Sequence, residues 1–252
     1  MKPDTICFVK RPLLLSALIL ISPLLRVIAA TEEPPSTRFP SQTVVATTEG
    51  DLRILHRDDF STDTLHRIWG MGPNKVAIEN GILKMRSEGG PTGKLKVSVE
   101  PFSDAELRFR FRFKGSTSIG FGFDDLSQTD AIHGGHLIGL SIKQDSIQVK
   151  DTKTGIYDMK HYQQLKDKQW TPELKELVDN CQTTLPYSLE QNRWYEVCVQ
   201  ITGDTLELSI DGKSAVTFSS PGIAHKRKEM YRFNIGKGEL HLDDVSLIAQ
   251  SN

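Results

Sequence analysis

The stretch Asp124-Asp125-Leu126-Ser127-Gln128-Thr129-Asp130-Ala131-Ile132-His133-Gly134-Gly135-His136 gathers three carboxylates and two imidazoles into one connection. Carboxylate and imidazole at such range could move a proton or bind a divalent metal. Asp124, Asp125, His133 and His136 are therefore the candidate catalytic residues. Gly134-Gly135 would let the backbone approach a ligand closely. The competing reading is an ordinary polar connection, with Asp capping turns and Gly supplying positive φ.

Three further groups could do chemistry. Asp58-Asp59 and Asp243-Asp244 would meet if the first and last strands pair, and four carboxylates at one rim could hold a structural Ca²⁺. Arg108, Arg110 and Arg112 form a row suited to acidic or sulfated glycans, since guanidinium matches carboxylate and sulfate bidentately. That row could equally be a solvated face paired with residues such as Glu196, Glu207 or Asp124. Trp170 and Trp194 are candidates for stacking on sugar rings, and Trp69 is a third tryptophan, although tryptophan is more often core.

Strands must position these groups. In Glu106-Leu107-Arg108-Phe109-Arg110-Phe111-Arg112-Phe113-Lys114, Leu107 and three phenylalanines face one side and three arginines the other. Burying the four apolar side chains is worth roughly 6–12 kcal/mol as an upper estimate. A helix would scatter them around its circumference. The same alternation recurs at Ile119/Phe121/Phe123, Ile138/Leu140/Ile142 and Ile147/Val149. It returns at Tyr195/Val197/Val199/Ile201, Leu206/Leu208/Ile210 and Tyr231/Phe233/Ile235. Turn signals at Asn80-Gly81, Gly203-Asp204, Asp211-Gly212 and Gly236-Lys237-Gly238 separate the runs. Many half-buried antiparallel strands at short spacing predict an all-β, two-sheet sandwich. Thr171-Pro172-Glu173 followed by Leu174, Leu177 and Val178 predicts one short helical insertion over 171–180. The polar residues 152–170 before it read as a long loop.

Composition limits what such a sandwich can serve. The 252 residues carry 31 basic and 32 acidic side chains, a net charge of -1. Nucleic-acid binding by counterion release needs clustered positive charge, so that partner is excluded as obligatory. Residues 1–30 read as a signal peptide: Lys2, Lys10 and Arg11 precede the apolar run Leu13 to Leu25, and Ala29-Ala30 offers a cleavage point. That run is shorter than the roughly 20 residues a span requires, so no stable membrane span is expected after cleavage. Its removal takes Lys2, Lys10, Arg11 and Arg26 together with Asp4, leaving 27 basic and 31 acidic groups. The expected location is secreted, periplasmic or extracellular. Cys181 and Cys198 survive there, and an even count permits a disulfide without establishing it. Residues 31–50 read as a Pro-rich linker and 51–252 as one domain.

Several of these segments carry a resemblance. His56-Arg57-Asp58-Asp59-Phe60, Trp69 and Val76-Ala77-Ile78-Glu79-Asn80-Gly81-Ile82-Leu83 resemble the opening of concanavalin A-like jelly-roll domains. In particular they are similar to the 3-keto-disaccharide hydrolase-like group, related to family 16 glycoside hydrolases. Arg193-Trp194-Tyr195-Glu196-Val197 to Ile210-Asp211-Gly212-Lys213 resembles a hairpin those domains share with laminin-G-like modules. Asn234-Ile235-Gly236 to Leu240-His241-Leu242-Asp243-Asp244-Val245 resembles their last strand. The resemblance implies a jelly roll over roughly residues 51–249, a fold that hosts lectins, glycosidases and interaction modules alike. Family 16 glycosidases carry Glu-x-Asp-x-Glu on one strand, a spacing found nowhere in this chain. A Gln-x-His motif common before the final strand of the keto-disaccharide group is also missing, so no catalytic residue carries across. The leading expectation is an exported protein that binds a carbohydrate or glycoconjugate. The alternatives are a glycosidic-bond hydrolase using Asp124, Asp125, His133 or His136, and a protein-interaction module with no sugar ligand.

Overall fold

The computed structural model describes residues 52–250 apart from 63, 66–68, 72–74, 89–94 and 129–134. The expected signal peptide and linker, and His133 and Asp130 of the candidate site, lie outside the described residues. In chain order the elements are β1 (Leu52–Asp58), β2 (Trp69–Met71), β3 (Lys75–Glu79), β4 (Ile82–Ser87), β5 (Leu95–Phe102), β6 (Ala105–Lys114), β7 (Ser118–Asp124), β8 (His136–Lys143) and β9 (Ser146–Asp151). Then come α1 (Met159–Lys166), α2 (Pro172–Asn180), β10 (Gln182–Pro186), β11 (Tyr195–Thr202), β12 (Thr205–Ile210), β13 (Lys213–Ser219), β14 (Lys228–Ile235) and β15 (Gly238–Gln250).

These strands make the two antiparallel sheets of a jelly-roll sandwich. The eight-stranded sheet runs β13-β12-β11-β6-β15-β4-β3, with β1 also on β15, and the seven-stranded sheet runs β10-β9-β8-β7-β14-β5-β2. Alternation decides which side chains meet between them. Leu107, Phe109, Phe111 and Phe113 of β6 are fully buried, and Phe109 lies 5.1 Å from Phe121 and 5.0 Å from Phe233 of the opposing sheet, ring centre to ring centre. Both contacts are edge-to-face, the arrangement favoured by the ring quadrupole.

The turns follow their residue types. Asn80-Gly81 and Asp211-Gly212 each place two residues at positive φ between paired strand ends, as a tight primed hairpin turn requires. A bulge at Asp243–Ser246, with Asp244 at φ 49°, lets the long β15 pair first with β4 and then with β1 along one edge while β6 holds the other.

The insertion holds two helices where the sequence predicts one. α2 is as expected, with Thr171 accepting the Leu174 N–H and Leu174 and Val178 buried. The segment 152–170 is not a plain loop, because α1 forms within it, capped by Asp158. This helix buries no residue, so it lacks the apolar stripe on which a helix is recognised in sequence.

The disulfide that the cysteine count permits is not formed. Cys181 and Cys198 are both free thiols, because Cys181 ends α2 beside the seven-stranded sheet while Cys198 lies on β11 of the other. Burial and the neighbouring Glu106 push the Cys198 thiol up to about 11. Reduction should therefore leave the intact mass unchanged, and Cys198 should alkylate at pH 8 only once the protein is denatured. Phe109→Ala should cost about 3–5 kcal/mol of stability by urea titration, as for other large-to-small core changes.

Candidate functional site

The outer face of the seven-stranded sheet is built by what its inner face demands. Because Ile119, Phe121 and Phe123 enter the core, Gly120, Gly122 and Asp124 of β7 must face outward. Beside them, β14 presents Met230, Arg232 and Asn234 and β8 presents His136, Gly139 and Ser141. A side chain at 122 would meet the Ile138 carbonyl at 2.2 Å, and one at 120 would meet Asn234 at 2.6 Å. Glycine there lets the Asn234 amide and the Arg232 guanidinium lie down over β7, so Gly120 and Gly122 are themselves buried, while Gly139 of β8 stays largely uncovered.

At the head of this glycine floor Asp124, fully buried, is shared by two partners. His136 Nδ1 lies 2.7 Å from Asp124 Oδ1, and Arg232 forms an ion pair with the same carboxylate. Asp124 Oδ2 has no hydrogen-bond partner. Bonding through Nδ1 fixes the imidazole with its proton on that nitrogen and its basic lone pair on Nε2. The His136 side chain keeps 11% of its exposure, so the ring is reachable. Burial holds the Arg232 guanidinium down at about 10. Tyr157 packs its ring 5.9 Å from His136 and Tyr162 of α1 packs against Tyr157. Burial raises the Tyr157 phenol, keeping it a neutral donor.

Asp125, the next residue, serves a different purpose. Its Oδ2 lies 2.8 Å from His225 Nε2, its Oδ1 accepts from the backbone and hydroxyl of Ser127, and Lys153 Nζ lies 2.6 Å from His225 Nδ1. The Asp125 N–H donates to the Gly135 carbonyl. Gly135, at φ 80°, comes so near that a Cβ would sit 1.8 Å from the Asp125 carbonyl oxygen. Desolvation works against ionisation of Asp125, but its bonds to Ser127 and His225 outweigh it and hold the carboxyl below the ordinary range. This cluster fastens the β7–β8 connection.

The other predicted groups are placed elsewhere. Arg108, Arg110 and Arg112 lie on the outer face of the eight-stranded sheet and are occupied: Arg108 by Glu106, Arg110 by Asp243 and Asp244, and Arg112 by His241. Trp194 is half-buried beneath Arg110 and Arg112, whose guanidinium carbons lie 5.1 and 4.7 Å from its ring centre. Trp170 is half-exposed just before α2 and does not share that surface. Trp69 is core and donates to Asp58 Oδ2. The four aspartates considered for Ca²⁺ are divided: Asp58 and Asp59 accept loop amides, while Asp243 and Asp244 face Arg110. Among the described residues no group of three or more His, Cys, Asp or Glu side chains is arranged to hold a metal ion.

Arg232 is the residue that sequence reasoning misses. The alternation Tyr231/Phe233/Ile235 puts it on the outer face, but nothing local says that β14 will lie beside β7, 108 positions from Asp124 to Arg232.

A sandwich with one ion-paired face and one glycine-floored polar face belongs to the concanavalin A-like class shared by glycosidases and lectins. The chain is a member of the family described as the 3-keto-alpha-glucoside-1,2-lyase-like domain, which matches residues 56–246. Among solved structures it is similar to a sialidase at 11% identity and a TM-score of 0.54, over 77% of this chain but only 18% of the sialidase. A GlcNAcα1-4Gal-releasing endo-β-galactosidase from Clostridium perfringens matches at 10% identity and TM-score 0.53, over 83% of this chain and 65% of its own. SCLam, a non-specific endo-β-1,3(4)-glucanase from family GH16, matches at 14% identity and TM-score 0.53, over 83% of this chain and 95% of its own. No curated relative matches the chain. At these identities the structural likenesses show the fold alone.

On the opposite face, His241 accepts from Arg112 Nε at 3.0 Å and lies 2.8 Å from Glu239 through Nε2. Burial first, and Arg112 next among the opposing charges, hold it below its ordinary 6.5. The unfolded chain therefore binds this proton more readily, and stability should fall as pH drops from 6.5 toward the folded value. His241→Gln should flatten that part of the urea-stability profile and also shrink the loss at more acidic pH, because the bond to His241 is the main reason the Glu239 carboxyl is held low, with Arg86 keeping the remainder.

Proposed function

We propose that the protein binds a saccharide across the outer face of the seven-stranded sheet and cleaves a 3-keto glucoside there. The observation that carries this reading is the Asp124–His136–Arg232 group at the head of the glycine floor. The family description supplies the reaction class. A ketone at C3 acidifies the C2–H bond, so a modest base suffices to remove that proton. His136 Nε2 takes it, and the C–H electron pair moves into an enolate whose oxygen carries the negative charge. Arg232 lies close enough to the dyad to stabilise that oxygen. The enolate then re-forms the ketone, a C1–C2 double bond appears and the C1–oxygen bond breaks. The departing alkoxide receives the proton from His136. Asp124 remains ionised throughout, holding the tautomer and offsetting the imidazolium charge.

A second reading, saccharide binding without cleavage, is favoured by a different observation. Thr184, Gln148, Ser141, Gly120 and Asn234 lie in one register row across five strands. That row offers amide and hydroxyl partners for sugar hydroxyls and no proton-transfer group. In either reading the protein acts outside the cytoplasm after loss of residues 1–30, which the N-terminal sequence of the mature protein would check.

Incubation with 3-keto glucosides in deuterated water, followed by mass spectrometry, separates the two. Cleavage should be accompanied by deuterium at C2 of recovered substrate, and His136→Asn should lower kcat by about 10²–10⁴-fold with an unchanged circular dichroism spectrum. Asp124→Asn should in addition cost about 3–5 kcal/mol of stability, since it strands the buried Arg232 charge. Tight binding with neither cleavage nor exchange would leave the second reading.

A further inference from the structure

The two outer faces handle their cations in opposite ways. On the eight-stranded sheet the arginines of β6 and the basic residues of β4 are matched: Arg108 with Glu106, Arg110 with Asp243 and Asp244, Arg86 with Glu239, and Lys84 with Glu79. On the seven-stranded sheet one register row crosses every strand as Gln182, Lys150, Gly139, Gly122, Arg232, Lys96 and Gly70. Lys143, further along β8, projects from the same face. The described outward positions of that face carry four cations, Lys96, Lys143, Lys150 and Arg232, against two carboxylates, Asp124, which Arg232 occupies, and Glu100 on β5, which pairs with Arg53. Among the described residues Lys96, Lys143 and Lys150 have no ion-pair partner.

This excess is local, because the whole chain is slightly acidic. Lys150 and Arg232 stand three strands apart, roughly 14 Å at the usual strand spacing, with Gly139 uncovered between them and Gly122 beneath the Arg232 guanidinium. Lys150 is half-buried, and a Cβ on the neighbouring Gly139 would meet only one atom, at 3.7 Å. Lys143 and Lys150 bracket the Ser141–Gln148 pair, so their ammonium groups reach toward one patch of hydrogen-bonding side chains.

We infer that the saccharide taken by this face carries an anionic group, a carboxylate or a sulfate, held between Lys143 and Lys150 over Ser141 and Gln148. The inference rests on the reading of this face as the saccharide site, and it assigns the class of sugar that reading leaves open. Burial and the repulsion of Lys143 both lower the Lys150 ammonium, a cost that an anion placed between the two would relieve. The arginine row, the other group the sequence offers for acidic glycans, is already engaged, Arg108 and Arg110 by carboxylates and Arg112 by His241.

The test is calorimetric titration of the purified protein with an oligogalacturonate, a carrageenan oligosaccharide that carries sulfate and no carboxylate, and a neutral cello-oligosaccharide of equal length. At least one acidic sugar should bind ten-fold or more tightly than the neutral one, and the preference should shrink as salt is raised. Carboxylate against sulfate in the two acidic arms identifies the group. Lys143→Gln combined with Lys150→Gln should abolish the preference without weakening the neutral sugar, whereas Lys213→Gln, on the other sheet, should leave it unchanged. His136→Asn should keep the preference even where cleavage is lost. Equal affinities, or a preference that survives the double variant, overturn the inference. Cleavage of neutral 3-keto glucosides alongside equal affinities would leave the site standing and remove only its anionic selectivity, while no binding by any sugar would remove both.

Discussion

Phe109 packed between Phe121 and Phe233 sets the phase of every strand that matters to this molecule. Side chains alternate along a strand, so a residue committed to the core commits its neighbours to the opposite face. Putting Ile119, Phe121 and Phe123 inside leaves no choice but to put Gly120, Gly122 and Asp124 outside. A slip of one residue would expose three large apolar groups and bury a carboxylate away from Arg232. The polar site is thus held in register by the hydrophobic contact on the other side of the same strand.

The same alternation acts on both sheets, yet their outer faces differ because their partners differ. β6 lies between β11 and β15, which bring Glu196, Asp243 and His241 alongside its arginines. The Arg108–Glu106 pair is partly exposed, Asp243 and Asp244 are buried against Arg110, and Arg112 donates to the His241 imidazole, so the donors of the row are used up. β7 lies instead between β8 and β14, which bring glycine, serine and asparagine to its outer side and a single guanidinium to its end. One face is therefore saturated with internal contacts, and the other leaves the polar side chains of β8 and β9 accessible to a ligand.

Much of this was legible in the sequence where the information is local. The alternation at Leu107 to Phe113, the Asp211-Gly212 turn and the Thr171 cap are each written in a few consecutive residues, and each is found in the structure. Asp124 and His136 could be paired in sequence because they end and begin neighbouring strands joined by one connection. Arg232 could not, since its place beside Asp124 follows from the jelly-roll order of strands and not from any nearby residue. That the arginines form a paired face is one reading of the sequence, and Glu196 does lie beside them, but Asp243, Asp244 and His241 as their partners follow from which strand lies next to β6. α1 escaped for a separate reason: it is fixed by the Asp158 cap and by its surroundings without a buried face of its own.

The adjacent Asp124 and Asp125 show how far position governs what a residue type does. Two identical side chains, one residue apart at the end of a strand, are turned to different surroundings. Asp124 meets Arg232 and His136 on the sheet face, and Asp125 meets Ser127 and His225 in the connection beyond it. The second cluster has a consequence for the first. His136 begins β8 immediately after Gly135, whose carbonyl is bonded to the Asp125 amide, so the imidazole can keep its place only while that connection stays closed. Asp125, His225 and Lys153 therefore act on the site through the backbone, fixing where His136 enters its strand. A dyad whose two members lie on neighbouring strands requires such a clasp, because the ladder hydrogen bonds shift at the Phe123–Asp124 bulge just where the dyad forms.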